Sequence, residues 1–155
     1  MSRHQKLQLF MATVESVVLY GCEAFTLTSV LEKQLNGCYT RMLRKVLGVR
    51  REEHISNSDL YLGFPKLSAK ICARRVKFAG HCYRHPELPA SKLVLWEPKQ
   101  GRAQRGRGHL TYVDLLRRDT GFVTAGEIST CMRDREIWGQ LCHNIIDQGL
   151  FSELF

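Results

Sequence analysis

The chain has no apolar run approaching the roughly 20 residues that a membrane span requires, so no membrane-spanning helix is expected. Its six cysteines, Cys22, Cys38, Cys72, Cys82, Cys131 and Cys142, are scattered without a C-x-x-C pair. The opening MSRHQKLQLFMATVESVVLYG places Glu15 inside its apolar part and lacks a small-residue cleavage pattern, which argues against a secretory leader. The cysteines therefore read as reduced thiols, and the expected location is intracellular, in nucleus, cytoplasm or both. Acidic residues are scarce where bases are dense: residues 41–51 and 66–85 contain none. Glu52-Glu53 is the sole adjacent acidic pair, and consecutive helical residues do not share a face. Paired-carboxylate chemistry has no support there. No strand-like alternation and no internal repeat is convincing.

What is present is positive charge on a helical pattern. The 155 residues carry 23 Lys and Arg against 15 Asp and Glu, a formal net charge of +8. Such an excess points to a polyanionic partner, either nucleic acid or an acidic membrane surface. Leu7, Phe10, Met11, Val14, Val17 and Val18 recur at spacings of three and four, predicting a first helix to about Tyr20 with Gly21 as its stop. Thr28 can cap a second helix to Leu47, with Leu31, Leu35, Cys38, Met42 and Val46 along one face and Gly48 ending it. Ser56 caps a short helix near Leu60–Leu62, and a long helix runs from about Ser68 to Arg84. Residues 86–108 hold three prolines and three glycines around a single apolar anchor, Leu93-Val94-Leu95-Trp96, and read as mostly irregular. Helices from about Tyr112 to Arg118 and within 124–151 follow, with Asp134 as a cap. The fold class is all-α, an irregular helical bundle with a basic Pro/Gly-rich loop at 97–109.

The stretch ICARRVKFAGHCYRHPE, 71–87, brings two cysteines, two histidines and several bases together. Zinc sites want ligand pairs two to four residues apart, and nothing nearby completes a tetrahedron around Cys82 and His85. A cysteine nucleophile needs a base and an oxyanion stabiliser, and no further feature supplies them. No metal or cofactor is expected. On a helical wheel Lys70, Arg74, Lys77, His81 and Arg84 fall within an arc of roughly 80°, opposite Ile71, Cys72, Val76, Phe78, Ala79, Cys82 and Tyr83. A solvated helix usually mixes signs, so a stripe of one sign suits contact with phosphates. Arg75 projects from the apolar side and needs an internal partner, for which Glu23 and Glu15 are the candidates. Arg41, Arg44 and Lys45 form a further patch. Arg102, Arg105 and Arg107, separated by glycines in KQGRAQRGRGHLTY, suit a cationic segment lying along a nucleic-acid backbone.

An ordered series of segments resembles a known family. VESVVLYGCEAFTLT, LNGCYTRMLRKVLGV, ARRVKFAGHCYRHPELPASKLVLWEP and RGRGHLTYVDLLRRDTG are similar to the C-terminal part of LINE-type, RTE-like retrotransposon endonuclease–reverse transcriptases. Gly108 and Arg51 depart from the pattern, standing where the family often has proline and an aromatic. The resemblance implies a thumb-like helical part over residues 1–65 and a post-thumb part over 66–155. It implies a grip on the template–primer duplex and the upstream polymerase palm as a neighbour. The chain contains no Tyr/Phe-x-Asp-Asp box, and polymerase chemistry needs clustered aspartates to hold two metal ions. The resemblance implies that Met1 stands past the family's active site, as expected of a 5′-truncated element copy. The expected function is non-catalytic binding of nucleic acid, RNA or DNA, largely independent of sequence. The competing expectation is a helical protein-interaction module whose basic face meets an acidic partner.

Overall fold

The computed structural model describes residues 1–61, 64–98 and 110–151, the last four by backbone alone. All regular structure among the described residues is helical, as the periodicity demands. The chain forms two compact units. One comprises Met1–Ile71 with Ile146–Phe155, and the other Cys72–Ile145.

In the first unit, α1 (Arg3–Phe10) starts on a capping box: the Ser2 hydroxyl accepts from the Gln5 amide at 3.2 Å, and the Gln5 side chain accepts from the Ser2 amide at 2.9 Å. The helix then widens into a π-turn over Met11–Glu15 and closes with α2 (Ser16–Val18) before Gly21, whose φ of 64° is left-handed. The widened turn is absent from the periodicity, which predicts one continuous helix. Its last residue, Glu15, is 7% exposed. Thr28 caps α3 (Ser29–Leu47) and Gly48, at φ 72°, ends it, both as predicted. The deepest line of α3 lies one residue further on than expected, on Tyr39 and Leu43, while Leu31 is exposed. Aromatic neighbours draw it there: the Tyr39 ring lies 5.4 Å from Phe10 and 6.2 Å from Tyr61. Ser56 caps α4 (Asn57–Tyr61), accepting from the Asp59 amide at 3.1 Å. Leu7, Leu19, Cys22, Leu60, Leu67 and Ile71 complete this core.

The second unit begins within α5 (Leu67–Arg84). The region read as irregular holds a short helix, α6 (Ser91–Val94), built where Val94 enters the core and the Ser91 hydroxyl donates to the Leu88 carbonyl at 2.7 Å. Two capping boxes follow, Thr111 with Asp114 on α7 (Tyr112–Thr120) and Thr124 with Glu127 on α8 (Ala125–Arg133). Asp134 caps α9 (Arg135–Phe151), accepting from the Glu136 and Ile137 amides at 2.8 and 3.1 Å. Val76, Ala79, Cys82, Leu116, Ile128, Met132 and Trp138 form the core with Val94. The Trp138 indole donates to the Val76 carbonyl at 2.8 Å, close against Gly80. A Cβ at position 80 would stand 2.3 Å from that indole nitrogen, so only glycine admits the tryptophan.

Candidate nucleic-acid interface

The cationic stripe predicted on α5 divides into half-buried residues and exposed ones. Lys70, its first member, is half-buried in the first unit, where its ammonium lies 2.7 Å from both Glu15 carboxylate oxygens. The Tyr39 hydroxyl donates to the same carboxylate at 2.6 Å. Burial, reinforced by that carboxylate, pushes the Tyr39 hydroxyl well above the usual tyrosine range, so it keeps its proton and remains a donor. Lys70 thus serves the interior, contrary to the wheel, because the widened turn carries Glu15 inward to meet it. In the second unit Arg84 is half-buried and donates to the Met132 carbonyl at 2.8 Å, near the C-terminal end of α8. Arg74, Lys77 and His81 are exposed. They occupy i, i+3 and i+7, one outward line with no acid among their α5 neighbours. Phe78, assigned to the apolar side, is 39% exposed.

Arg75 is buried as expected, but its partner is neither Glu23 nor Glu15. The guanidinium meets Asp119 near the end of α7, and the two side chains are 0% and 2% exposed. The sequence carries a signal for this pairing. Asp119 follows the buried Leu115 and Leu116 at i+4 and i+3, which puts an acid on the buried face of α7. Glu15 is less legible, because its inward turn depends on the π-segment.

The second predicted patch also divides. Arg41 and Lys45 are exposed, four residues apart on one face of α3. Arg44 is committed to the fold, donating to the Ile55 carbonyl at 2.7 Å and the Asn57 side chain at 3.0 Å. Arg102, Arg105 and Arg107 lie outside the described residues.

Around His81 the helix end is polar. The rings of His81 and His85 stand 4.4 Å apart, and His85 Nδ1 lies 2.9 Å from a Glu87 oxygen. Among the described residues no group of three or more His, Cys, Asp or Glu side chains is placed to hold a metal ion. Burial pushes the Cys82 thiol up, away from the thiolate a nucleophile needs, and pushes Cys142 up as well despite nearby Lys77 and Arg84. What these exposed side chains offer chemically is anion contact: a guanidinium, an ammonium and an imidazole along one helix.

No family model matches the sequence, and no solved structure matches it. The chain is similar to a transposon-derived protein of Caenorhabditis elegans, with 25% identity over 151 residues. The match covers 86% of this chain and 52% of that protein, so the chain spans about half the length of this relative. No helix among the described residues is long and apolar enough to cross a membrane.

Proposed function

We propose that this chain is a nucleic-acid-binding part of a transposon-derived reverse transcriptase, without catalytic chemistry of its own. It grips template–primer or element RNA through the phosphate backbone. The observation that carries this reading is the exposed line of Arg74, Lys77 and His81 on α5, a helix whose own sequence holds no acid. A helix face of one sign repels itself in water and is relieved by a polyanion. Similarity to a transposon-derived protein supports a nucleic-acid context. Arg41 and Lys45 in the first unit offer further contacts of the same kind.

Titration against single-stranded, duplex and RNA–DNA hybrid oligonucleotides at several salt concentrations tests the proposal. Each phosphate neutralised adds roughly 0.9 to the logarithmic salt slope on duplex DNA. Arg74→Glu with Lys77→Glu therefore weakens binding to all sequences alike and lowers the slope by about 2. No binding at low salt, or binding indifferent to salt, defeats it.

A second reading, a protein-interaction module, is favoured by the apolar surface of the first unit, where Leu9, Val17, Tyr20, Val30 and Leu31 are all exposed. That reading prevails if a bound protein partner is not displaced by heparin or nucleic acid and the α5 charge reversal leaves nucleic-acid affinity unchanged.

A further inference from the structure

Phe78 alone of the apolar residues of α5 is exposed, at 39%, whereas Ile71, Val76, Ala79 and Cys82 are each 0%. A phenylalanine left that open forgoes the burial that normally places this residue. Its backbone is nevertheless well held, because Val76 and Ala79 on either side of it lie in the second core. At 100° per residue Lys77, His81, Arg74 and Phe78 fall within one arc of roughly 100°. All four are exposed. Arg74 stands four residues before the ring and His81 three after it, the spacings at which helical side chains are neighbours. The His81 ring lies 4.4 Å from that of His85, so aromatic surface continues toward the helix end. Phe78 is thus an apolar plate set into the exposed line of bases.

The local charge identifies what fits it. Glu15 answers Lys70 and Asp119 answers Arg75, but α5 itself contains no acid. Among the described residues no carboxylate pairs with Lys77. Arg84 donates to the Met132 carbonyl, a neutral group that leaves its charge uncancelled. The nearest acid along the chain is Glu87, beyond the helix end, where it holds His85 at 2.9 Å. The surroundings of the ring are therefore cationic on the described residues alone. An acidic peptide would satisfy the cations and leave the ring in water, whereas a nucleotide chain brings a flat face with every phosphate. We infer that Phe78 is a stacking platform for an unpaired base of single-stranded nucleic acid, whose neighbouring phosphates lie against Arg74 and Lys77. The phosphates fall on that side because Glu87 and the carbonyl end of the helix carry negative charge at the other. The inference rests on the nucleic-acid reading above and adds the base-contacting residue and the strand state it selects. Paired bases within a duplex do not offer their faces, so the platform favours single strands.

The test compares the whole chain with its Phe78→Ala and Phe78→Tyr variants. Each is titrated with an oligo(dT) of about 15 nucleotides, a length that suits single-strand sites, and with an abasic strand of equal length, which carries the phosphates alone. The parent should bind oligo(dT) more tightly than the abasic strand. Phe78→Ala should cut that preference by roughly 5- to 150-fold, the worth of one stacked base. Abasic affinity and both salt slopes should stay as in the parent. Phe78→Tyr, which keeps a ring, should keep the preference. Lys77→Glu should instead weaken both strands alike and lower both slopes by about 0.7. A preference that survives in Phe78→Ala overturns the inference, as does an equal loss for the two strands. Loss of a concentration-dependent dimer in Phe78→Ala, with the preference intact, overturns it too, since Phe78 then meets protein. If Phe78→Ala does not fold, Phe78→Leu, which keeps apolar bulk without a ring, takes its place and is read in the same way. A parent that binds neither strand nor a DNA hairpin brings down the functional proposal itself. Hairpin binding without single-strand binding, or equal affinity of the parent for the two strands, brings down only this inference.

Discussion

Lys70 and Arg75 stand five positions apart on α5 and belong to different compact units, and each meets a carboxylate from another helical segment of its own unit. They differ in depth. The Lys70 and Glu15 side chains are 13% and 9% exposed, and Glu15 has a second donor in Tyr39. Arg75 and Asp119 are 0% and 2% exposed, with Arg118 reaching Asp119 at 3.3 Å. Depth decides what losing a partner costs. A shallow carboxylate can recover water, whereas a deep one is left charged in a medium that does not solvate it. The two pairs are therefore unequal supports, though a contact list would count them alike.

The largest expected effect follows from the deeper pair. Asp119→Ala or Arg75→Met should cost about 3–5 kcal/mol of stability, read from urea unfolding of the whole chain. The paired replacement Arg75→Met with Asp119→Leu should recover most of that loss, because it leaves no buried charge. A single-variant loss below about 1 kcal/mol, the range of exposed ion pairs, would show that water reaches the pair and would erase the contrast.

The shallower pair should yield less. Lys70→Met removes one of two donors to Glu15, for an expected loss of roughly 1–3 kcal/mol. Combining it with Tyr39→Phe strips both donors, and the double variant should lose more than the two singles together. If Lys70→Met alone matches Asp119→Ala, depth is not the governing variable.

These pairs also mark how far the sequence reaches. Helix limits set by local chemistry were legible: Thr28, Ser56 and Asp134 cap where expected, and Gly48 ends its helix in a left-handed conformation. The burial of Arg75 was legible too, since it breaks the apolar side of a wheel. Its partner was harder to find, because ion pairing over 44 positions is fixed by tertiary packing that periodicity does not encode. The same blindness let Lys70 stand among the outward cations. A wheel assigns one buried arc, whereas α5 is buried over much of its circumference, including Ile71, Ala73, Arg75, Val76, Ala79 and Cys82. Of the predicted stripe, only Arg74, Lys77 and His81 are exposed. Trp96 was visible in the sequence as an apolar anchor, and the structure reverses that assignment: Val94 anchors and Trp96 faces outward.

The smallest effect belongs to the other acid of α7. Asp114 is 37% exposed and sits in the helix's capping box, accepting from the Thr111 hydroxyl at 2.6 Å and the Thr111 amide at 2.9 Å. The hydroxyl contact first, then the amide and Arg117, hold the Asp114 carboxyl below its ordinary value, against the opposing pull of partial burial. A carboxyl depressed in the folded state binds its proton more readily once unfolded. Its stabilising contribution is therefore complete above the unfolded value of about 3.9 and fades as pH falls through the lower folded value. Thr111→Ala should cost about 1 kcal/mol at neutral pH, the usual worth of an N-cap. The gap between parent and variant should then narrow at pH values below about 4, as the ionised carboxylate that the cap supports disappears. Unfolding curves at pH 7 and in that acid range decide it. A gap that stays constant would mean that the Thr111 hydroxyl stabilises α7 through the Asp114 amide, which donates to it at 3.2 Å, and that the carboxylate contributes nothing measurable.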